Sequence, residues 1–150
     1  APPSVSLLSY LADNLEPCDV TERMAVKPSQ SILETLEESV TSSFWSMVAI
    51  VDETPAAVFG ITLGDESGYV GCPWALFTPK ARSVPHILSG TANVFVTQWM
   101  DYFECLTNIT HPDNLRAHRW LKRMGFEFLD TPVDVNGVPF LQFFMGEPSV

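Results

Sequence analysis

The sequence predicts a mixed α/β domain, and three features of its pattern predict it. Apolar residues recur at helical spacing in four separate stretches, and three extended apolar runs follow one another between about residues 44 and 79. A strand–helix–strand step then implies parallel pairing inside an otherwise antiparallel sheet. At 150 residues, positions 1–150 fit one domain that buries most of its apolar surface without cross-links.

In chain order, Ser4–Leu15 places Leu7, Leu8, Leu11 and Leu15 on one side of an amphipathic helix. Pro17 and Pro28 bracket a short segment. Ser31 and Glu34 have the spacing of a capping box that opens a second helix, with Ile32, Leu33, Leu36 and Val40 toward the core. "FWSMVAIVD" and "AAVFGITLG" are strands joined at Glu53-Thr54-Pro55, and "GDESG" ends the second. "YVGCPWALFTP" begins a third strand. Pro73 has no N–H for a ladder, so this strand is expected to be bulged or edge-like near Cys72.

Roughly residues 84–103 form a long helix whose Leu88, Ala92, Phe95, Val96, Trp99 and Phe103 make a core-facing stripe. "CLTNIT" is a short buried strand. His111-Pro112-Asp113 opens the last helix, with Asp113 as its N-cap. There Ala117, Trp120, Leu121 and Met124 form one face, while Arg116, Arg119 and Arg123 form another with Lys122 beside it. Gly125 suits the left-handed position that ends a helix. "FEFLD" and "VPFLQFFMG" are two final strands, with a type I′ turn at Asn136-Gly137. The expected order is ααβββαβαββ.

Composition narrows the function classes. Apolar residues are 46% and charged residues 17%, which argues against disorder. No apolar run approaches the roughly 20 residues of a membrane span, and "APPSVSLLSYLADNL" lacks the basic leader of a secretory signal. The protein is therefore expected not to be secreted. Cys18, Cys72 and Cys105 lack metal or disulfide spacing and read as three buried thiols in a reducing compartment. His86, His111 and His118 show no metal-ligand spacing either. A net charge of −10 disfavours nucleic acid as a partner. Residues 1–79 hold eleven acids against Arg23 and Lys27, while the other six bases fall in two short stretches. That asymmetry fits an anion site, a partner surface or a solvated helix face.

The element order, with Asn114…Ala117…Gly125-Phe126 at its last elbow, resembles the GNAT acyl-CoA N-acyltransferase fold from about Phe44 onward. "PWALFTPKARSVPHILSG", the long helix, the short strand and the elbow, with the opening "LADNLEPCDVTE", are similar to the small GNAT-like internal virion proteins of short-tailed phages and to the phage-encoded acetyltransferases of that group. The resemblance implies a mostly antiparallel central sheet with a parallel pair at a cleft, flanked by helices. It also implies cofactor contacts from Phe77, Thr78, Lys80, Arg82 and Ser83, from Asn108 on the strand flanking the cleft, and from Asn114. Acetyl-CoA is the cofactor implied if the chain is active, and none is expected otherwise.

Two departures from the family pattern matter. Active members carry a Gln/Arg-x-x-Gly-x-Gly/Ala loop, whose glycines let the backbone approach a diphosphate. The equivalent Pro79–Pro85 contains no glycine. Many members also place a tyrosine seven residues after the motif asparagine, as general acid toward the leaving thiolate; counted from Asn114, that position is Leu121, which has no proton to give. Asp52, Glu53, Asp65 and Glu66 sit in turns and read as solvated surface, and no spacing favours Tyr102 or His118 as a substitute acid. No catalytic residue and no metal ligand is assigned. The leading expectation is a non-catalytic phage GNAT-like protein of the host cytoplasm or the virion, acting in assembly through contacts with other virion proteins. An exposed strand edge would serve homo-oligomerisation. The alternatives are an N-acetyltransferase acting on an amine, and a sensor with a degenerate acyl-CoA cleft.

Overall fold

The structure, a computed structural model, describes residues 1–147. Two compact units emerge, one made of residues 1–62 and 74–85, the other of residues 63–73 and 86 onward.

The first unit begins with three helices, α1 (Val5–Asn14), α2 (Pro17–Val26) and α3 (Ile32–Ser42). Ser4 caps α1 by accepting from the Leu7 amide. At α3 the expected capping box is present, with Ser31 and Glu34 each satisfying the other's backbone N–H. The segment between Pro17 and Pro28, read from the sequence only as short, is itself a helix; Pro17 stands in its first turn, where a missing amide costs nothing. Strands β1 (Trp45–Val51) and β2 (Thr54–Leu63) form an antiparallel hairpin with a register shift at Ala49/Ile50. Its turn is Asp52-Glu53, at φ 49° and 62°, one residue earlier than expected; Thr54 and Pro55 already belong to β2. Leu8, Leu11, Leu15, Leu36, Val48, Val58 and Leu76 form the buried core, with Ile32, Leu33, Val40 and Trp74 packed against it.

Strand β3 (Val70–Phe77) starts in the second unit and ends in the first. In the second unit it pairs in parallel with β4 (Cys105–Thr110), but only Val70↔Cys105 and Gly71↔Leu106 are in register, so the ladder stops before Pro73. The strand is not at an edge. The described strands run β1-β2-β3-β4-β7-β5, with β6 paired to β7. Between β3 and β4 lie a short 3₁₀ helix, Pro79–Ser83, and α4 (Pro85–Tyr102).

The rest of the second unit is α5 (Leu115–Arg123), β5 (Glu127–Phe128), β6 (Val133–Val135) and β7 (Val138–Gly146). The N-cap of α5 is Asn114, whose side chain accepts from Ala117 N, rather than the expected Asp113. Gly125 lies at φ 97°, and the Gly125→Lys122 and Phe126→Leu121 amide-to-carbonyl bonds close a Schellman motif. Asn136 and Gly137, at φ 51° and 86°, make the predicted two-residue turn, but they join β6 to β7; the "FEFLD" run supplies only the two-residue β5. Phe126, Phe140, Phe143, Leu106, Leu121 and Val96 are buried in this unit. Phe126 meets Phe143 edge-on, with ring centroids 5.2 Å apart. Cys18, Cys72 and Cys105 are free, but only Cys105 is buried, which corrects the expectation of three buried thiols.

Candidate functional site

The site implied by the sequence falls in two places. Phe77, Thr78, Lys80, Arg82 and Ser83 belong to the first unit, Asn108 and Asn114 to the second.

Within the first unit, β3 hands the chain to the 3₁₀ helix. Thr78 is almost fully buried; its amide donates to Ala56 O and its hydroxyl to Pro55 O at 2.8 Å, which ties the strand end to β2. The backbone of Phe77 is held by the start of α2. Its N–H donates to Asp19 Oδ2 at 2.9 Å and its carbonyl accepts from Glu16 N at 2.8 Å. Both acids are buried. A strand residue whose N–H and C=O are both engaged cannot also offer that pair to an extended ligand.

The two cations of this segment are likewise engaged. Arg82 Nη2 lies 2.6 Å from Glu16 Oε2, and Lys80 Nζ lies 3.3 Å from Asp52 Oδ2. The hydrogen bond that Arg82 donates to Glu16, and then the Glu16 charge, raises the Arg82 pKa above its ordinary value. Ser83 Oγ donates back to Lys80 O, while Ala81 N and Val84 N bond within the turn. A 3₁₀ turn spends backbone donors internally, and every residue from 79 to 85 carries at least a Cβ. Close main-chain wrapping of a diphosphate needs glycine-like clearance and converging free amides. These residues do not fit that group.

In the second unit Asn108 Nδ2 donates to Pro73 O at 3.0 Å, and its Oδ1 accepts from Ile109 N. This bond reaches the β3 carbonyl just beyond the end of the parallel ladder. Asn114, buried, caps α5. Both asparagines thus have local structural work. Leu121 is buried at 7% exposure. Tyr102 is exposed, its ring edge-on to Phe103. His118 Nε2 lies 2.9 Å from His111 O, its ring packed against Phe128. Asp52, Glu53, Asp65 and Glu66 are exposed in turns, as expected.

Sequence reasoning missed Glu16 and Asp19. The available signal was a pair of acids flanking Pro17 at a helix start, where carboxylates are favoured. Among the described residues no group of three or more His, Cys, Asp or Glu side chains could hold a metal ion, and no helix is long and apolar enough to cross a membrane.

The chain matches no protein-family model and no curated protein. Its backbone is similar to several solved structures. Smu.2055 from Streptococcus mutans UA159 superposes with a TM-score of 0.71 at 12% identity, covering 97% of each chain. AAC(6')-Ib in complex with paromomycin and acetyl-CoA gives a TM-score of 0.71 at 17% identity, covering 97% of this chain and 91% of the other. The GNAT-family acetyltransferase from Bacillus anthracis gives 0.65 at 9% identity, covering 94% and 88%. With a mostly antiparallel sheet, a parallel β3–β4 pair and flanking helices among the described residues, this chain has the GNAT fold.

Proposed function

We propose that this chain is a non-catalytic GNAT-fold protein that acts through protein contacts. The observation that carries the reading is the closed segment Phe77–Ser83, where Glu16 and Asp19 occupy the strand-end backbone and Arg82, and Asp52 occupies Lys80. Leu121 supports it, because the position of the family's general acid is a buried apolar side chain. Fold does not dictate chemistry. The finer reading rests on the resemblance of residues 73–90 and of the opening helices to phage internal virion proteins. It gives a role in particle assembly or among the internal proteins of the head, with other virion proteins as partners and the host cytoplasm or the virion as location. One domain spans the chain in this reading.

The experiment is a thiol-release assay with acetyl-CoA and a panel of small amines, polyamines and basic peptides. No release above background is expected, and turnover with any acceptor would overturn the reading. A second reading, an acetyl-CoA-dependent N-acetyltransferase acting on an amine, is favoured by the shared fold with a coenzyme-bound acetyltransferase. It requires the Glu16–Arg82 and Asp52–Lys80 pairs to open.

A further inference from the structure

Against eleven acids, residues 1–79 hold only two bases, Arg23 and Lys27. Both line one cavity of the first unit. It measures about 200 Å³ and opens between α2, α3 and the end of β2, with Glu38, Ser39, Ser42 and Thr62 also in its wall. Thr62 stands at the opposite end of β2 from Pro55 and Ala56, which hold Thr78. About 20 Å of strand therefore separates the cavity from the Phe77–Ser83 segment.

The half-buried Arg23 is fixed by neutral partners. Its Nη1 donates to Ser39 Oγ at 2.9 Å, and its guanidinium lies over the Trp74 ring, 5.7 Å from the centroid. Among the described residues no carboxylate is in ion-pair contact with it. Burial lowers its pKa below the ordinary value, and the more distant charges of Glu22, Asp19 and Glu38 offset only part of that. A charge in this setting is costly until an opposite charge joins it. Ser39 takes one of the five N–H donors of the fork and, having accepted, keeps its own O–H to give. Lys27 Nζ lies 3.8 Å from Glu38 Oε1 with both side chains about half exposed, a weak pair that costs little to open. Ser42 lines the wall without donating into it, because its hydroxyl is spent on Glu38 O at 2.7 Å.

We propose that this cavity binds a small phosphate-bearing anion through Arg23, Lys27 and the Ser39 hydroxyl. A planar guanidinium meets a phosphate at two points, and a lysine adds a point charge. Donors on two helices call for an acceptor with oxygens on several sides; tetrahedral phosphate has them and a planar carboxylate does not. The volume sets the size of the ligand. It lies below the roughly 300–1,000 Å³ of sites for larger molecules, so it holds a phosphate with a few further atoms and not a coenzyme. The site lies wholly within the first unit and does not depend on the protein-contact reading above.

Proton–nitrogen NMR of the full chain, titrated separately with inorganic phosphate, glycerol 3-phosphate and acetate, tests it. Saturable one-site shifts are expected at the Arg23 side-chain N–H and the Ser39 amide, with a Kd of about 1 mM or tighter for a phosphate. Acetate should bind roughly tenfold more weakly. R23Q should weaken phosphate binding by roughly tenfold or more and K27Q by a smaller factor. E38Q removes the acid from the wall and should tighten binding, a change that an arginine serving only to pack on Trp74 does not produce. Tighter binding of glycerol 3-phosphate identifies a phosphate ester as the ligand, and tighter binding of inorganic phosphate the free ion; both support the proposal. Far-UV circular dichroism checks the fold of each variant, and if R23Q unfolds, K27Q and E38Q at half-exposed positions carry the test. No saturable shift with either phosphate, acetate bound as tightly as phosphate, or phosphate affinity unchanged in the folded variants would each overturn the proposal.

Discussion

Gly125 sits at φ 97°, where a side chain would be strained although the nearest atom to an added Cβ, Met145 Cε, is an ordinary 3.5 Å away. Gly125→Ala is therefore expected to cost about 1 kcal/mol through backbone strain alone, read as a lower urea midpoint at unchanged slope. Asp19 works in the opposite way, through a partner. Removing its carboxylate leaves the Phe77 amide without its acceptor, so Asp19→Ala should cost roughly 1–3 kcal/mol in the same measurement. Cys105 supplies a pH dependence. Burial pushes its thiol above the ordinary range, so the folded chain keeps a proton that the unfolded chain releases. That contribution is complete below the unfolded thiol pKa and is lost as pH rises through the folded value. Urea midpoints measured from neutral into alkaline pH should fall, and they should fall less steeply in Cys105→Ala.

At the scale of elements, α5 holds a buried leucine where the family resemblance implies a general acid. Leu121 is core, so Leu121→Ala should cost about 2–4 kcal/mol; Leu121→Tyr should lower stability and yield no thiol release. Helices α1 and α4 were legible from their periodicity to within a residue at each end, and the start of α3 from its capping box. So were Gly125 and the Asn136-Gly137 turn, because left-handed backbone has few residue solutions. Helix α2 was not legible, since prolines at both ends of a short segment read as punctuation until tertiary contacts hold it. The missing glycines of residues 79–85 were visible in the sequence. The engagement of Arg82 by Glu16 and of Phe77 by Asp19 was not, because it spans 66 and 58 residues and no local pattern encodes a pairing at that range.

For the whole molecule, the chain has the GNAT fold, and the segment to which the resemblance assigns coenzyme contacts makes internal contacts with Glu16, Asp19 and Asp52. Fold similarity at 9 to 17% identity constrains the chain path and leaves side-chain chemistry free to drift. The most direct measurement is isothermal titration of acetyl-CoA into the full chain at near-neutral pH. No saturable heat is expected up to millimolar coenzyme. Stoichiometric binding in the micromolar range would contradict that expectation.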